Sequence, residues 1–152
     1  MAISSFLDTV IDKPGSLTHY ANVIKGKGQQ RGATVTIAHA AEAHGNDVRR
    51  FYVAGINSGS RGFTEEQLEL LHCWNVRIAP CIAKGMKKGP HAEENIAAYL
   101  SEIRARGLRW SHAVVGAHID TARGSRSYVC QACRSMVALV GGVIEDPHNV
   151  QR

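Results

Sequence analysis

The chain reads as an α/β sandwich, and three features of the sequence carry that reading. Two apolar, partly β-branched runs stand close together at 33–42 and 48–56, apolar residues recur at helical spacing over 93–106, and a further apolar run fills 110–119. Strands and helices therefore follow one another in the order β-β-α-β-α-β, the pattern of a sheet covered by helices. With 152 residues and 44% hydrophobic content, 1–152 has the size of one domain and can bury a core without staples.

Each element has its own justification. Turn signals at Lys13-Pro14-Gly15-Ser16 and Lys25-Gly26-Lys27-Gly28 make the segment at about 1–32 mostly irregular, with room for a helical stretch between them. The runs at 33–42 and 48–56, joined by His44-Gly45-Asn46-Asp47, predict a β-hairpin. Asn57 to Gly62 is a loop, after which Thr64 and Gln67 form a capping box for a short helix ending near Asn75. A short strand at 76–82 leads into a basic loop, Lys84 to Pro90. Ile96, Leu100 and Ile103 share a helix face, and Gly107 caps that helix. The run at 110–119 is a buried strand and 120–128 a polar loop. A second helix starts at Cys130, and Val143-Ile144-Glu145 is a last strand whose place in the sheet the sequence leaves open.

Composition narrows the function classes. No apolar run approaches about 18 residues and no positively charged start precedes one, so neither a membrane span nor a signal peptide is expected. Four cysteines, two of them spaced CxxC, suggest metal or redox chemistry rather than a disulfide framework. Cys73 and Cys81 are expected to be buried thiols of the core. A net charge of +5 and a pI near 9.2 favour a polyanionic partner.

The strongest chemical signal is His91-Ala92-Glu93, followed after 36 intervening residues by Cys130-Gln131-Ala132-Cys133. It offers three zinc ligands, His91, Cys130 and Cys133, and one carboxylate that is not a ligand. Three protein ligands leave a tetrahedral zinc one open position for water, as catalytic sites do. On a helix body, residues two apart are turned by about 200°, so His91 and Glu93 converge only off a helix N-terminus. Pro90 before them fits such a start. Zinc lowers the pKa of its water towards about 7, and Glu93 beside it would shuttle a proton. A structural zinc with a fourth ligand from another histidine is the competing reading.

His91-Ala92-Glu93 with Cys130-x-x-Cys133 resembles the cytidine deaminase-like superfamily, whose signature is H-x-E followed by P-C-x-x-C. The match covers about 33–145. The resemblance implies a three-layer sandwich with a central five-stranded mixed sheet flanked by helices, one catalytic Zn2+ and Glu93 as proton shuttle. Val129 stands where the signature has proline, a departure from part of the superfamily. The chain is most similar to the deaminase toxin domains that end bacterial polymorphic toxins, and among those to the single-stranded DNA cytosine deaminase toxins. That implies conversion of cytosine to uracil in single-stranded DNA, delivery as a secreted toxin into the target-cell cytoplasm, and a cognate immunity protein as inhibitor.

The same resemblance suggests substrate contacts. Asn57 matches a position where relatives hold the sugar, with a plain turn asparagine as the alternative. Ser127 and Tyr128, with Ala92 and Val129 beside the ligands, fall where relatives line the base pocket, and Tyr128 would stack on a base. Lys84, Lys87 and Lys88 in one loop, and Arg123 and Arg126 in the other, form a basic rim suited to a phosphate backbone. Deamination of RNA or a free nucleoside, and a zinc-stabilised nucleic-acid-binding module without chemistry, remain alternatives.

Overall fold

The computed structural model of the chain describes residues 5–10, 16–28, 33–44, 46–57, 62–81, 91–102, 109–120, 124–126, 135 and 144–145. The fold is mixed α/β. Its helices are α1 (Leu7–Val10), α2 (Ser16–Gly28), α3 (Glu65–Cys73) and α4 (Ala92–Glu102). Its strands are β1 (Thr34–His44), β2 (Asp47–Ile56), β3 (Arg77–Ile78), β4 (Arg109–Asp120), β5 (Gly124–Arg126) and β6 (Ile144–Glu145).

The expected hairpin forms from β1 and β2, in a register running from Val35 opposite Ile56 to His44 opposite Asp47. The mixed sheet has the order β3-β2-β1-β4-β5, with β6 also on β4. β4 runs antiparallel to β1, β3 parallel to β2, β5 antiparallel to β4 and β6 parallel to β4. The last strand thus finds its neighbour, which the sequence left open.

Strand side chains alternate between faces, and two buried clusters follow that alternation. On one face Val35 and Ile37 of β1 and Tyr52, Ala54 and Ile56 of β2 pack with Leu7, Leu17, Ala21, Ile24 and Leu71 of α1, α2 and α3. On the other, Ala38, Ala40, Phe51 and Val53 pack with Ala79 and with Ile96, Ala97 and Leu100 of α4. Helices cover both faces of the hairpin. Burying each large aliphatic side chain is worth about 1.5–3 kcal/mol, which gives both layers a share in stability.

Three expectations need correction. The N-terminal segment is not mostly irregular: α2 runs for 13 residues, and Leu17, Ala21 and Ile24 fall on its buried face. Lys25-Gly26-Lys27-Gly28 is its last turn, because packing of that apolar stripe outweighs the turn preference of two glycines. The stretch 120–128 is not wholly a polar loop, since 124–126 returns antiparallel onto β4 with Arg126 opposite His118. With this strand the sheet counts six strands among the described residues, where five were expected.

The third helix start is as expected. Thr64 Oγ1 accepts from Gln67 N, and Gln67 Oε1 accepts from Thr64 N at 2.8 Å, closing the capping box. At its other end Asn75 takes a left-handed conformation with φ 56. There Asn75 N donates to His72 O and Val76 N to Leu71 O, a Schellman termination that asparagine tolerates.

Candidate functional site

The first turn of α4 is fastened to the end of β2 by close backbone packing. Gly55 makes this possible. A β-carbon there would lie 2.8 Å from Ala92 O and 2.7 Å from Ile96 Cγ1. Any larger residue would force these atoms to move apart. Asn95, fully buried, adds a directed link by donating from Nδ2 to Ile56 O at 2.7 Å.

His91 stands just outside the helix as its N-cap. Its carbonyl accepts from Asn95 N at 3.1 Å, and its own N–H donates to Glu94 Oε1 at 3.0 Å. Glu94 thus reaches back from the third helical position as the second half of a capping box does. The His91 ring is half exposed, with Nδ1 4.0 Å from Glu94 Oε1. An exposed pair of this kind adds little stability but helps orient the imidazole.

Glu93 has the opposite environment. It is only 4% exposed, and burial holds its carboxyl above the ordinary range. Its backbone N–H and His91 oppose that shift, and Glu94 adds to it. A carboxyl that keeps a proton readily and lies in the first turn of a helix, where backbone amides favour negative charge, can both take up and return a proton. Ala92 is wholly buried against the sheet.

Asn57 lies at the same end of the sheet. Its Oδ1 accepts from Thr34 N at 2.9 Å and its N–H donates to Thr34 O at 3.3 Å, so it closes the open end of the hairpin. Arg126 lies on β5. Lys84, Lys87, Lys88, Arg123, Ser127, Tyr128, Val129, Cys130 and Cys133, and the second helix expected at Cys130, lie outside the described residues. Among the described residues no three His, Cys, Asp or Glu side chains are grouped to hold a metal.

The donor set nonetheless suits zinc. One imidazole and two thiolates are the soft, borderline ligands that ion prefers, and the half-exposed His91 ring at a helix start has room to bind it. Among the described residues Cys73 and Cys81 join no such set, and they are not core thiols either. Both are exposed. Cys73 falls about 200° around α3 from buried Leu71, and Cys81 follows the edge strand where the chain leaves the sheet.

Three contributors escaped the sequence reading: Gly55, Asn95 and Thr36. A lone glycine in a strand signals a close backbone approach, which is the clue Gly55 offered. Thr36 is wholly buried, and its hydroxyl finds no hydrogen-bond partner among the described residues. The described helices include none long and apolar enough to cross a membrane. No protein-family model matches the chain, and no curated protein or solved structure is found similar to it.

Proposed function

We propose that this protein is a zinc-dependent cytosine deaminase with a cytidine deaminase-like sandwich fold, acting on single-stranded DNA. The observation that carries this reading is the contrast at the start of α4: Glu93 is 4% exposed while His91, two residues earlier, is half exposed. One side chain suits proton transfer away from bulk water and the other suits a ligand. His91, Cys130 and Cys133 would hold zinc, which when bound supplies an activated water.

The remaining work belongs to the chain. Glu93 takes the proton of the attacking water and passes it to the ring nitrogen, then serves the departing amine. Water adds at C4, the carbon–nitrogen bond breaks, and cytosine plus water becomes uracil plus ammonia. Burial of Glu93 keeps competing water from its carboxyl. The first turn of α4, held against Gly55, fixes where that carboxyl can reach.

Single-stranded DNA is favoured by the charge of +5 and by the basic residues flanking both halves of the motif. A single strand also presents its bases without the few kcal/mol that flipping from a duplex costs. A role as an interbacterial mutagenic toxin, restrained by an immunity protein, follows from the resemblance to the toxin deaminases. The test is to incubate the zinc-loaded protein with single- and double-stranded DNA, RNA and free cytidine and score uracil. Uracil in the single-stranded DNA is expected. Its absence from every DNA substrate overturns the reading, and uracil in RNA or free cytidine alone moves the substrate.

A further inference from the structure

Thr36 sits beneath the first turn of α4. It pairs across the hairpin with Gly55, and directly opposed residues in a sheet project to the same face. The missing Gly55 side chain faces Ala92 and Ile96, so Thr36 projects to the α4 side. Val115 of β4 is its partner on the other side.

The helix also has two distinguishable flanks. Asn95 reaches Ile56 O, which points away from β1, because Asn57 N, the next group along, bonds towards β1 at Thr34 O and adjacent residues alternate in direction. Asn95 therefore marks the β3 flank of α4. Glu93, about 200° around the helix from Asn95, turns to the opposite flank, above β1. That is the side on which Thr36 lies.

A buried hydroxyl such as that of Thr36, with no partner among the described residues, is costly, since it has lost water and gained nothing in return. Such a group is retained where something else completes it. We infer that Thr36 is a substrate-binding residue of the proposed deaminase site, its hydroxyl reserved for the polar edge of the pyrimidine that enters between α4 and β1. A hydroxyl both donates and accepts, so it can meet either the carbonyl or the amine of that edge. This rests on the deaminase reading. Thr36 orients the ring, while Glu93 moves the proton.

The experiment compares wild type, Thr36→Val and Thr36→Ser as full chains, using a single-stranded oligonucleotide with one cytosine. It reads kcat, KM and melting temperature. Thr36→Val keeps the shape and loses the hydroxyl, so kcat/KM falls about tenfold, the scale of one hydrogen bond, while the melting temperature stays the same or rises. Thr36→Ser retains most of the activity. A Thr36→Val protein with wild-type kinetics overturns this inference and leaves the deaminase standing. A melting temperature lowered by several degrees also overturns it, because the hydroxyl is then bonded within the protein. If wild type itself forms no uracil, the deaminase reading falls and takes this one with it.

Discussion

Gly55 and Ala92 approach so closely that a β-carbon on the glycine would sit 2.8 Å from the alanine carbonyl oxygen. That oxygen is backbone and cannot turn aside. Gly55→Ala is expected to lose about 1–3 kcal/mol, the usual penalty of overpacking, as measured by urea unfolding. Activity should fall further than in Thr64→Ala, a change of comparable stability cost on the opposite face. Equal activities at equal stability would mean that the start of α4 does not need this contact.

Glu93→Gln tests the buried carboxyl by itself. The amide has nearly the same shape and never bears the cost of a buried charge. Melting temperature and zinc content are expected to match wild type, with uracil formation reduced roughly 10²–10⁴-fold, the usual contribution of a positioned acid–base group. Full activity in this variant would remove Glu93 from the chemistry.

Gln67 does two jobs at once. Its Oε1 accepts from Thr64 N, and its Nε2 donates to Ile24 O at 3.0 Å, tying α3 to α2. Thr64→Ala should cost about 0.5–2 kcal/mol through the lost cap. Gln67→Ala should cost more, since it loses the buried bond to Ile24 O and empties a wholly buried site as well as the cap. Parallel denaturant titrations of the two variants give the ranking.

Lys25 makes stability depend on pH in the alkaline range. Burial lowers its pKa from 10.5 to about 8, so between those values the unfolded chain binds more protons than the folded one. Stability therefore rises with pH across that window and is lower below it, where the buried amine is charged. Lys25→Met removes the titrating amine and should flatten the rise. Thermal unfolding of both proteins from pH 7 to 10.5 would detect this, and parallel curves would refute it.

How much of this was legible depended on whether a feature was local. The hairpin, the Thr64–Gln67 cap and the start of α4 at the motif all follow from periodicity and short-range hydrogen bonding, and each was readable residue by residue. The N-terminal helix was not, because Lys25-Gly26-Lys27-Gly28 signals a turn, and only the packing of Leu17, Ala21 and Ile24 against the sheet reverses that preference. Strand β5 was missed for a similar reason: Gly124-Ser125-Arg126 has no strand character of its own and pairs because β4 offers it an edge. At the candidate site, the helix start that holds His91 and Glu93 was legible from spacing. Gly55, Asn95 and Thr36 matter through contacts between distant segments, which a linear reading does not display.

The covering of the hairpin by α1 and α2 has a consequence for handling the protein. Val35, Ile37, Ala54 and Ile56 form an apolar face covered by Leu7 of α1 and Leu17, Ala21 and Ile24 of α2, beside Leu71 of α3. A fragment begun at Ala33 would bare that face to water. Large exposed apolar patches drive self-association, and such a fragment would aggregate even with every residue of the motif intact. The N-terminal helices thus cover apolar strand surface, a contribution separate from any chemistry at the other face of the sheet.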